Sequence, residues 1–340
     1  MIFKEPAFYN VVNEADVTFD LMDELKQFVN TEIENVFQSR TPESLYQPMR
    51  HLLEGGGKRI RPILLILSCQ AVGGTTESCL SAAVAVELLH TFTLVHDDIM
   101  DHDDVRRGRP TVHTKWDEAT AILAGDALVT LAYKTMLKTH HPELRSVLDL
   151  FSEALLVLCE GQALDKDFEV RESVSLHAYN DMIIKKTAKL MEVSCEIGAI
   201  LGDGREEERQ ALRRFAGLLG QAFQIHDDLL DIISDQHILG KPLGSDLMEG
   251  KKTHLTIDFL HRADPEAKRR FKQLWGSGVL SQAEIKEIKE MFKKAGTLQA
   301  TQDAVETLTS LAIEPLMLLD ASPARDTLID LVRRLRERMS

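Results

Sequence analysis

The stretch that decides the fold is AAVAVELLHTFTLVHDDIMD, residues 82–101. Most positions before its aspartates are apolar, and the chain has no proline between Pro62 and Pro110. Because proline costs about 3 kcal/mol inside a helix, a long apolar run without it predicts a buried helix. At about 100° per residue, Asp97 and Asp101 share one face of that helix. The sequence therefore predicts an apolar core helix that ends in stacked carboxylates.

A second stretch, FAGLLGQAFQIHDDLLD at residues 215–231, repeats this design. It lies in a longer span without proline, between Pro142 and Pro242, where apolar residues recur at steps of three and four. The sequence lacks the strict apolar–polar alternation that is typical of strands. We therefore predict an all-α fold, with ten or more helices in a single large domain that covers residues 1–340.

Local signals mark several helix starts. Ser281 is followed three residues later by Glu284, which is the capping-box pattern. Proline follows Thr41 and Ser322 directly, as is common at the first position of a helix. Asp16 precedes an amphipathic run. We expect a helix to begin at each of these four places.

The composition excludes several classes of protein. The 340 residues include 40 basic and 54 acidic side chains, a formal net charge of −14, which disfavours binding to nucleic acid. The four cysteines are far apart without a CxxC pair, so we expect reduced, buried thiols in a cytoplasmic protein. The longest apolar stretch, residues 62–67, is too short to span a bilayer, and we expect no membrane span.

The two aspartate motifs indicate a metal site. Carboxylates one turn apart repel each other, and the end of a helix is already negative, so the arrangement is unfavourable unless a cation is bound. Ligands with oxygen alone select a hard ion, Mg²⁺ before Ca²⁺. A solvated acidic helix end is the alternative interpretation of either motif alone. The predicted metal ligands are Asp97, Asp98, Asp101, Asp227, Asp228 and Asp231.

Glycines accompany the second motif. Gly217 and Gly220 share a helix face with Asp227 and Asp231. We expect these two glycines to leave room beneath the carboxylates.

Basic residues complement the acids. In GGGKRIRP, residues 55–62, glycines expose backbone N–H groups next to a helix N-terminus, which favours phosphate. Lys58 and Arg61 are three residues apart and can converge on one anion. RRGRP at residues 106–110 and KT at residues 186–187 add further cations. Acids that bind Mg²⁺ and bases that bind phosphate, on an apolar helical frame, indicate a diphosphate ligand with an apolar tail.

In this order the motifs resemble those of the trans-isoprenyl diphosphate synthases, or polyprenyl synthetases. The resemblance extends from about Leu45 to Leu335. It rests on GGGKRIRP, DDIMDHDDVRRGRPTVH, GQALD, KKTAKL, FQIHDDLLD and GKPLGSDLMEGKKT. It implies a bundle of mostly antiparallel helices around a central cavity, a homodimer, and about three Mg²⁺ ions per active site. Isopentenyl diphosphate and an allylic diphosphate would be the substrates.

The resemblance also assigns roles by motif position. The residues that it places on isopentenyl diphosphate are Lys58, Arg61, His90 and Arg107. Those that it places on the allylic diphosphate are Arg106, Lys186, Thr187, Gln224, Lys241 and Lys251. Asp97, Asp101 and Asp227 would bind Mg²⁺, with Asp98, Asp228 and Asp231 supporting or sharing that role. Asp103 and Asp104 stay open as further ligands. The implied catalytic set is Asp97, Asp101, Arg106, Lys186, Thr187, Gln224, Asp227 and Lys241.

Product length in this family depends on the bulk of the helix before the first DDxxD motif. Phe92 is five residues before Asp97, with Thr93 and Leu89 beside it, and would form a floor under the growing chain. This pattern resembles makers of C20 geranylgeranyl diphosphate. C15 farnesyl diphosphate and longer chains are the alternatives. Two alternatives belong to other classes: a class I terpene cyclase and a non-catalytic subunit of a heteromeric synthase.

Overall fold

The computed structural model describes residues 14–233 and 243–337, and most of these residues are helical. The all-α prediction is therefore confirmed. The first half contains α1 Glu14–Phe37, α2 Glu43–Glu54, α3 Ile60–Ala71, α4 Thr76–Met100, α5 Val112–Lys115, α6 Glu118–Met136 and α7 Leu144–Val170. A continuous run follows, made of α8 Leu176–Ile183, a π-helical turn Ile184–Ala188 and α9 Lys189–Leu201. The remainder contains α10 Glu206–Ile233, α11 Ser245–Glu249, α12 His254–Arg262, α13 Pro265–Leu274, α14 Gln282–Lys294, α15 Thr297–Leu316 and α16 Pro323–Glu337.

The core consists of two clusters of buried apolar side chains. The larger cluster joins the helices from α1 to α10 with α15 and α16, and its most extensive helix contacts are α4 with α6, α3 with α9 and α10 with α15. The smaller cluster lies among α11 to α14 and includes Phe259, Phe271 and Phe292, whose rings are in mutual contact. α10 supplies Phe215 to the larger cluster and Leu229 to the smaller one, so this helix links the two.

The predicted helix starts are confirmed in part. The Ser281 hydroxyl accepts a hydrogen bond from the Glu284 amide at 3.3 Å, and the Ser281 amide donates to the Glu284 carboxylate at 2.8 Å, which completes the capping box. Ser322 likewise accepts from the Arg325 amide at 3.2 Å. Near Thr41, α2 begins two residues later at Glu43. The start at Asp16 was wrong, because α1 is already helical from Glu14.

A short hairpin interrupts the helical pattern after the first aspartate motif. Strands β1 Val105–Arg106 and β2 Arg109–Pro110 pair in antiparallel fashion. The two residues between them, Arg107 and Gly108, have φ values of 54° and 72°. Two successive positive φ angles are typical of the type I′ turn that suits a tight hairpin. The hairpin folds RRGRP back toward the end of α4.

α4 is the one helix in residues 14–233 and 243–337 that is long and apolar enough to cross a membrane by length and composition. The sequence predicts this segment as a core helix, and its unbroken apolar runs are too short to mark it as a span, because polar residues are scattered along it. Of its most apolar 18-residue window, 61% is buried inside the protein, as expected for a helix of the core.

Candidate active site

The predicted residues converge on one large cavity of about 960 Å³. Its walls come from α1, α3, α4, α7, the π-helical turn, α9 and α10, with the hairpin at one side. Twelve of the predicted site residues line it: Lys58, Arg61, His90, Phe92, Thr93, Asp97, Arg106, Arg107, Lys186, Thr187, Gln224 and Asp227. Two acids, several cations and an apolar wall therefore share a single space.

A cationic cluster forms one part of the cavity wall. Arg61 donates a hydrogen bond from Nη1 to His90 Nε2 at 3.2 Å. Burial lowers the pKa of Arg61 to about 10, although Glu87 opposes this shift. Burial also lowers the pKa of His90 well below its usual value, and Arg61 and Arg107 add to that effect. His90 is therefore neutral at pH 7 and accepts from Arg61, while the guanidinium groups provide the positive charge.

Arg59, which lies between Lys58 and Arg61, has a structural role instead. Its side chain is buried and forms an ion pair with Glu87 at 2.6 Å. It also donates to Asn30 Oδ1 at 3.0 Å and to the Leu53 carbonyl at 2.8 Å. These bonds attach the start of α3 to α1, α2 and α4, so the loop that presents Lys58 is fixed.

Gly57 explains why the loop contains glycines. A Cβ on this residue would lie 2.7 Å from Arg107 Nη1, and its φ of 148° already disfavours a side chain. Arg107 passes over this position and donates to the Gly56 carbonyl. The glycine therefore lets the hairpin dock its arginine against the loop, which brings Arg107 beside Lys58 and Arg61.

The π-helical turn presents Lys186 to the first aspartate motif. Lys186 Nζ forms an ion pair with Asp165 of α7 at 2.5 Å. Burial acts to lower the pKa of Lys186, but Asp165 and Asp97 raise it overall, so the amine is charged. A Cβ at Gly161 would lie 2.7 Å from the Lys186 Cα, so this glycine allows α7 to pack closely on the turn. Asp165 belongs to the GQALD motif but had no predicted role.

Thr187 and Gln224 belong to a chain of hydrogen bonds that leads away from the cavity. Thr187 donates to Gln224 Oε1 at 2.8 Å, and Gln224 Nε2 donates to Asp228 Oδ1 at 3.0 Å. The Tyr179 hydroxyl donates to Asp228 Oδ2 at 2.5 Å, and the His254 amide donates to the same oxygen at 3.3 Å. Asp228 is thus the buried centre of a network that holds α8, the π-helical turn, α10 and α12 together.

The other aspartates of the second motif differ from each other as well. Asp227 is exposed in the cavity wall. Asp231 is buried and accepts from the Ser245 hydroxyl at 3.1 Å and from the Asp246 amide at 3.2 Å, at the start of α11. Burial and nearby Asp246 raise the pKa of Asp228 to about 8 and that of Asp231 to about 7. The structure therefore places these two carboxylates behind the cavity wall, where they support it.

The first motif shows a similar division. Asp97 lines the cavity, and burial raises its pKa to about 6, with Lys186 opposing the shift and Asp101 reinforcing it. Asp98 is buried and accepts from Arg106 Nε, so it orients an arginine that itself lines the cavity. Asp101, at the end of α4, is 3.6 Å from Lys166 Nζ.

Lys251, Asp103 and Asp104 are not among the residues that line the cavity. Lys251 follows α11, 2.8 Å from Glu249 and 3.6 Å from Asp246, next to the second motif. Burial acts to lower its pKa, but the two carboxylates raise it well above the usual value. Asp103 is 3.4 Å from Arg106, and Asp104 accepts from Thr114 at 3.3 Å. Lys241 lies outside the described residues.

The residues predicted to set product length separate into two groups. Phe92 and Thr93 line the cavity, whereas Leu89 is completely buried in the core. Leu89 precedes Phe92 by three residues, and the 3.6-residue period leaves it about 60° away around the helix. That rotation directs it toward neighbouring core helices, so the structure does not place Leu89 at the cavity floor.

Gly220 packs helices together, and the expectation that it leaves room under the carboxylates was wrong. A Cβ at this position would lie 2.5 Å from the Ala188 Cα, so α10 and the π-helical turn are in close contact there. At Gly217 the nearest atom is Glu192 Oε2 at 3.4 Å, which is ordinary packing. The prediction for the thiols was also wrong in one case, because Cys159 is exposed and lines the cavity, whereas Cys69, Cys79 and Cys195 are buried.

Polar residues around the cavity that the sequence did not single out include Lys26, Asp165 and Tyr179. Lys26 of α1 lines the cavity next to Lys58, and the sequence gave no signal for it because α1 has no recognisable motif. Asp165 could have been found, since it ends a quoted motif and is opposite in charge to Lys186. Tyr179 lies eight residues before Thr187, and its link to Asp228 depends on tertiary packing.

The donor set fits Mg²⁺. Asp97 and Asp227 direct carboxylates from two helices into the same cavity and could supply oxygen ligands, and the raised pKa of Asp97 marks a carboxylate whose charge a cation would compensate. Among residues 14–233 and 243–337, no group of three His, Cys, Asp or Glu side chains is close enough to hold a metal alone. Mg²⁺ is usually bound through one or two carboxylates together with water and substrate phosphate, so two carboxylates beside a cationic cluster suit it.

Comparison with known proteins assigns the family. The sequence profile of the polyprenyl synthetase family matches residues 42–292. The chain is 40% identical to a short chain isoprenyl diphosphate synthase of Methanothermobacter thermautotrophicus, over 91% of this chain and 95% of the relative. It is 42% identical to a geranylgeranyl diphosphate synthase of Methanosarcina mazei, over 85% of this chain and 84% of the relative. The crystal structure of a geranylgeranyl pyrophosphate synthetase from Pyrococcus horikoshii superimposes with a TM-score of 0.91 at 38% identity, covering 96% of this chain and 100% of that one. The chain therefore belongs to the polyprenyl synthetase family of trans-isoprenyl diphosphate synthases.

Proposed function

We propose that this protein condenses isopentenyl diphosphate with an allylic diphosphate and releases C20 geranylgeranyl diphosphate. The observation that supports this most strongly is the shared cavity, in which Asp97 and Asp227, the cationic cluster and Phe92 face one space. The names of the relatives from Methanosarcina and Pyrococcus favour the same product.

The cationic cluster suits the diphosphate of isopentenyl diphosphate. Lys58, Arg61 and Arg107 supply positive charge, and neutral His90 fixes the Arg61 guanidinium through its hydrogen bond. Guanidinium groups bind phosphate oxygens in pairs, which holds the substrate in one orientation. The other end of isopentenyl diphosphate then points along the cavity toward the allylic substrate.

The allylic diphosphate would lie between the two aspartate motifs. Arg106 and Lys186 line this part of the cavity. Lys251, 3.6 Å from Asp246, and Lys241 are proposed to add positive charge. Asp97, Asp101 and Asp227 would hold about three Mg²⁺ ions, and bound Mg²⁺ supplies the positive charge that stabilises the departing diphosphate. Asp98 supports this region by orienting Arg106.

The chemistry requires no protein nucleophile. The C–O bond of the allylic diphosphate breaks, and the diphosphate leaves with the electron pair. The double bond of isopentenyl diphosphate attacks the allylic cation, and the adduct then loses a proton to the departed diphosphate. Thr187 and Gln224 direct oxygen dipoles toward the cation, and their orientation is fixed because Gln224 Nε2 donates to Asp228. Apolar side chains such as Leu158 and Phe223 exclude water from it.

One assay tests the reaction class and the product. The purified protein is incubated with Mg²⁺, radiolabelled isopentenyl diphosphate and dimethylallyl, geranyl or farnesyl diphosphate, and the dephosphorylated products are sized by chromatography. We expect a C20 alcohol from all three starters. A C15 or longer product would contradict the proposed length. A cyclic hydrocarbon from allylic substrate alone would indicate a terpene cyclase, and lack of turnover by the homomer would favour a non-catalytic subunit.

The floor assignment has its own test. Phe92→Ala removes the largest side chain that α4 directs into the cavity, so we expect products at least one C5 unit longer. Unchanged product length at normal activity would show that Phe92 is not the floor.

We also propose that the protein is a cytoplasmic homodimer that associates through α6 and α7. Ile122 and Leu123 of α6 and Leu156 of α7 are exposed although they are large and apolar, and Leu137 extends the same helix. The two helices are adjacent, because Tyr133 of α6 contacts Phe151 of α7 at a ring distance of 5.2 Å. An exposed apolar face of this kind is typical of a surface that is buried by a second copy.

Analytical ultracentrifugation of two matched variants tests the dimer. Leu123 and Leu318 are 60% and 67% exposed, and Leu318 lies beyond α15, away from the proposed interface. We expect Leu123→Glu to give monomers and Leu318→Glu to leave the dimer intact. A monomeric wild type, or a dimer that tolerates Leu123→Glu, would contradict the proposal.

A further inference from the structure

His96 packs beside the proposed floor of the cavity, one helical turn nearer the first aspartate motif. Its ring packs edge-on against Phe92, with the ring centroids 4.8 Å apart and the planes at 68°. Both side chains line the cavity, and they belong to adjacent turns of α4. A shift of either ring therefore changes the space that the other occupies.

The His96 imidazole packs against Gly125 of α6, and we call this glycine its seat. The glycine is buried, and a Cβ on it would overlap the imidazole, at 2.5 Å from His96 Cδ2. His96 Nε2 is also 3.4 Å from the Ile122 carbonyl, one turn earlier on α6. The half-buried imidazole thus contacts the α6 backbone on one side and the Phe92 ring on the other.

This arrangement makes the depth of the cavity depend on a residue of another helix. Because protein interiors are close-packed, His96 has no space to move closer to α6. The imidazole can approach α6 this closely only because residue 125 has no side chain. Adding a methyl group at this position would force the imidazole away from α6, toward Phe92 and the cavity. Removing the imidazole would leave Phe92 free to turn away from the growing chain.

We propose that His96, seated on Gly125, is a positioning residue that fixes Phe92 and thereby sets the length of the product. This inference rests on the proposed function, since it assumes that Phe92 is the floor. It adds α6 to the elements that define the floor. This contribution cannot be inferred from the aspartate motif or from α4 alone.

Product sizing of three variants tests the proposal. His96→Ala should shift the main product upward by one or more C5 units. Gly125→Ala should shift it downward, so that a larger share stops at C15. The double variant His96→Ala/Gly125→Ala should lose the downward shift, because the added methyl group then has no imidazole to displace. His113→Ala serves as the control, since His113 lies on α5 and bonds to Thr111 at 3.3 Å, away from Phe92.

The outcomes separate this inference from the assignments that it uses. If the wild type forms no prenyl diphosphate, the proposed function itself fails. If Phe92→Ala lengthens the product while His96→Ala leaves it unchanged, only the support by His96 is refuted. A longer product from Gly125→Ala would refute the role of Gly125 as the seat of His96. A shorter product that persists in the double variant would refute it as well. If Gly125→Ala does not fold, recovery of folding in the double variant supports the contact, and the product of His96→Ala decides.

Discussion

The two DDxxD motifs share one sequence pattern, yet their neighbours give the aspartates different tasks. In both, the first aspartate lines the cavity: Asp97 on α4 and Asp227 on α10. In both, the second aspartate is buried behind the wall, where Asp98 orients Arg106 and Asp228 accepts from donors on α8, α10 and α12. The third aspartates differ most, because one is near the cavity lysine Lys166 and the other holds the start of α11.

This comparison shows what a repeated motif can establish. The pattern places carboxylates at the same angles around a helix, but the chemistry of each one depends on the elements that pack against it. The motif therefore predicts a group of carboxylates at the end of each helix, and the fold determines which of them lines the cavity.

The largest expected effect separates cavity aspartates from buried ones. Asp97→Asn and Asp227→Asn remove charge from the reacting region, so kcat should fall by about 10²–10³-fold, the range typical for losing one charge-stabilising group. Their melting temperatures should stay close to that of the wild type. Asp228→Asn should mainly lower the melting temperature. Steady-state kinetics with calorimetry checks this, and the opposite pattern would contradict the division.

The pH dependence of Mg²⁺ binding gives the next effect. The pKa of Asp97 is raised to about 6 in the metal-free protein, and only the deprotonated carboxylate binds metal. Apparent Mg²⁺ affinity should therefore fall as the pH drops below about 6, by up to about tenfold per unit for one proton. Isothermal titration of Mg²⁺ between pH 5 and 8, with inorganic diphosphate present, measures this. Asp97→Asn should flatten the profile, and an unchanged slope in that variant would assign the proton to another group.

The buried network of the second motif should show in stability. Tyr179→Phe removes the 2.5 Å hydrogen bond to Asp228, and the free energy of unfolding should fall by about 1–3 kcal/mol, the usual cost of leaving a buried polar group without its partner. Tyr133→Phe is the matched control, because its hydroxyl bonds to exposed Ser152 at 3.1 Å. We expect its unfolding free energy to change by less than about 0.5 kcal/mol. Equal losses in both variants would argue against the network.

The smallest effect concerns the two glycines that lie two to three helical turns before the second motif. Gly220→Ala should lower the free energy of unfolding by about 1 kcal/mol, because the overlap with Ala188 outweighs the better helix propensity of alanine. Gly217→Ala should raise it by about 0.5–1 kcal/mol, since ordinary contact distance leaves room for a methyl group. Chemical denaturation of the pair measures the difference, and equal responses would contradict the close contact at Gly220.

Much of the fold was predictable because its signals are local. The proline-free apolar spans gave the helices, and Ser281 with Glu284 gave a complete capping box. Within the site, Lys58, Arg61, Asp97 and Asp227 could be predicted, because glycine loops and stacked carboxylates have few structural uses. Arg59 shows the limit: it has the same charge as its neighbours, and only tertiary packing reveals that it pairs with Glu87.

The remaining features depend on contacts between distant segments. The hairpin that returns Arg106 to Asp98 rests on a two-residue turn, which a helical pattern obscures. Tyr179 and Asp228 are separated by 49 positions, and His96 and Ile122 by 26, so no local pattern links them. Such pairs follow only from how the helices pack.

The most direct test of the account is an anomalous diffraction map of the crystalline protein with Mn²⁺ in place of Mg²⁺ and an unreactive allylic thiodiphosphate. The account predicts Mn²⁺ peaks at the carboxylates of Asp97 and Asp227, with the diphosphate between the two motifs and its chain directed toward Phe92. Metal bound by Asp98 or Asp228, or a chain directed away from Phe92, would contradict it.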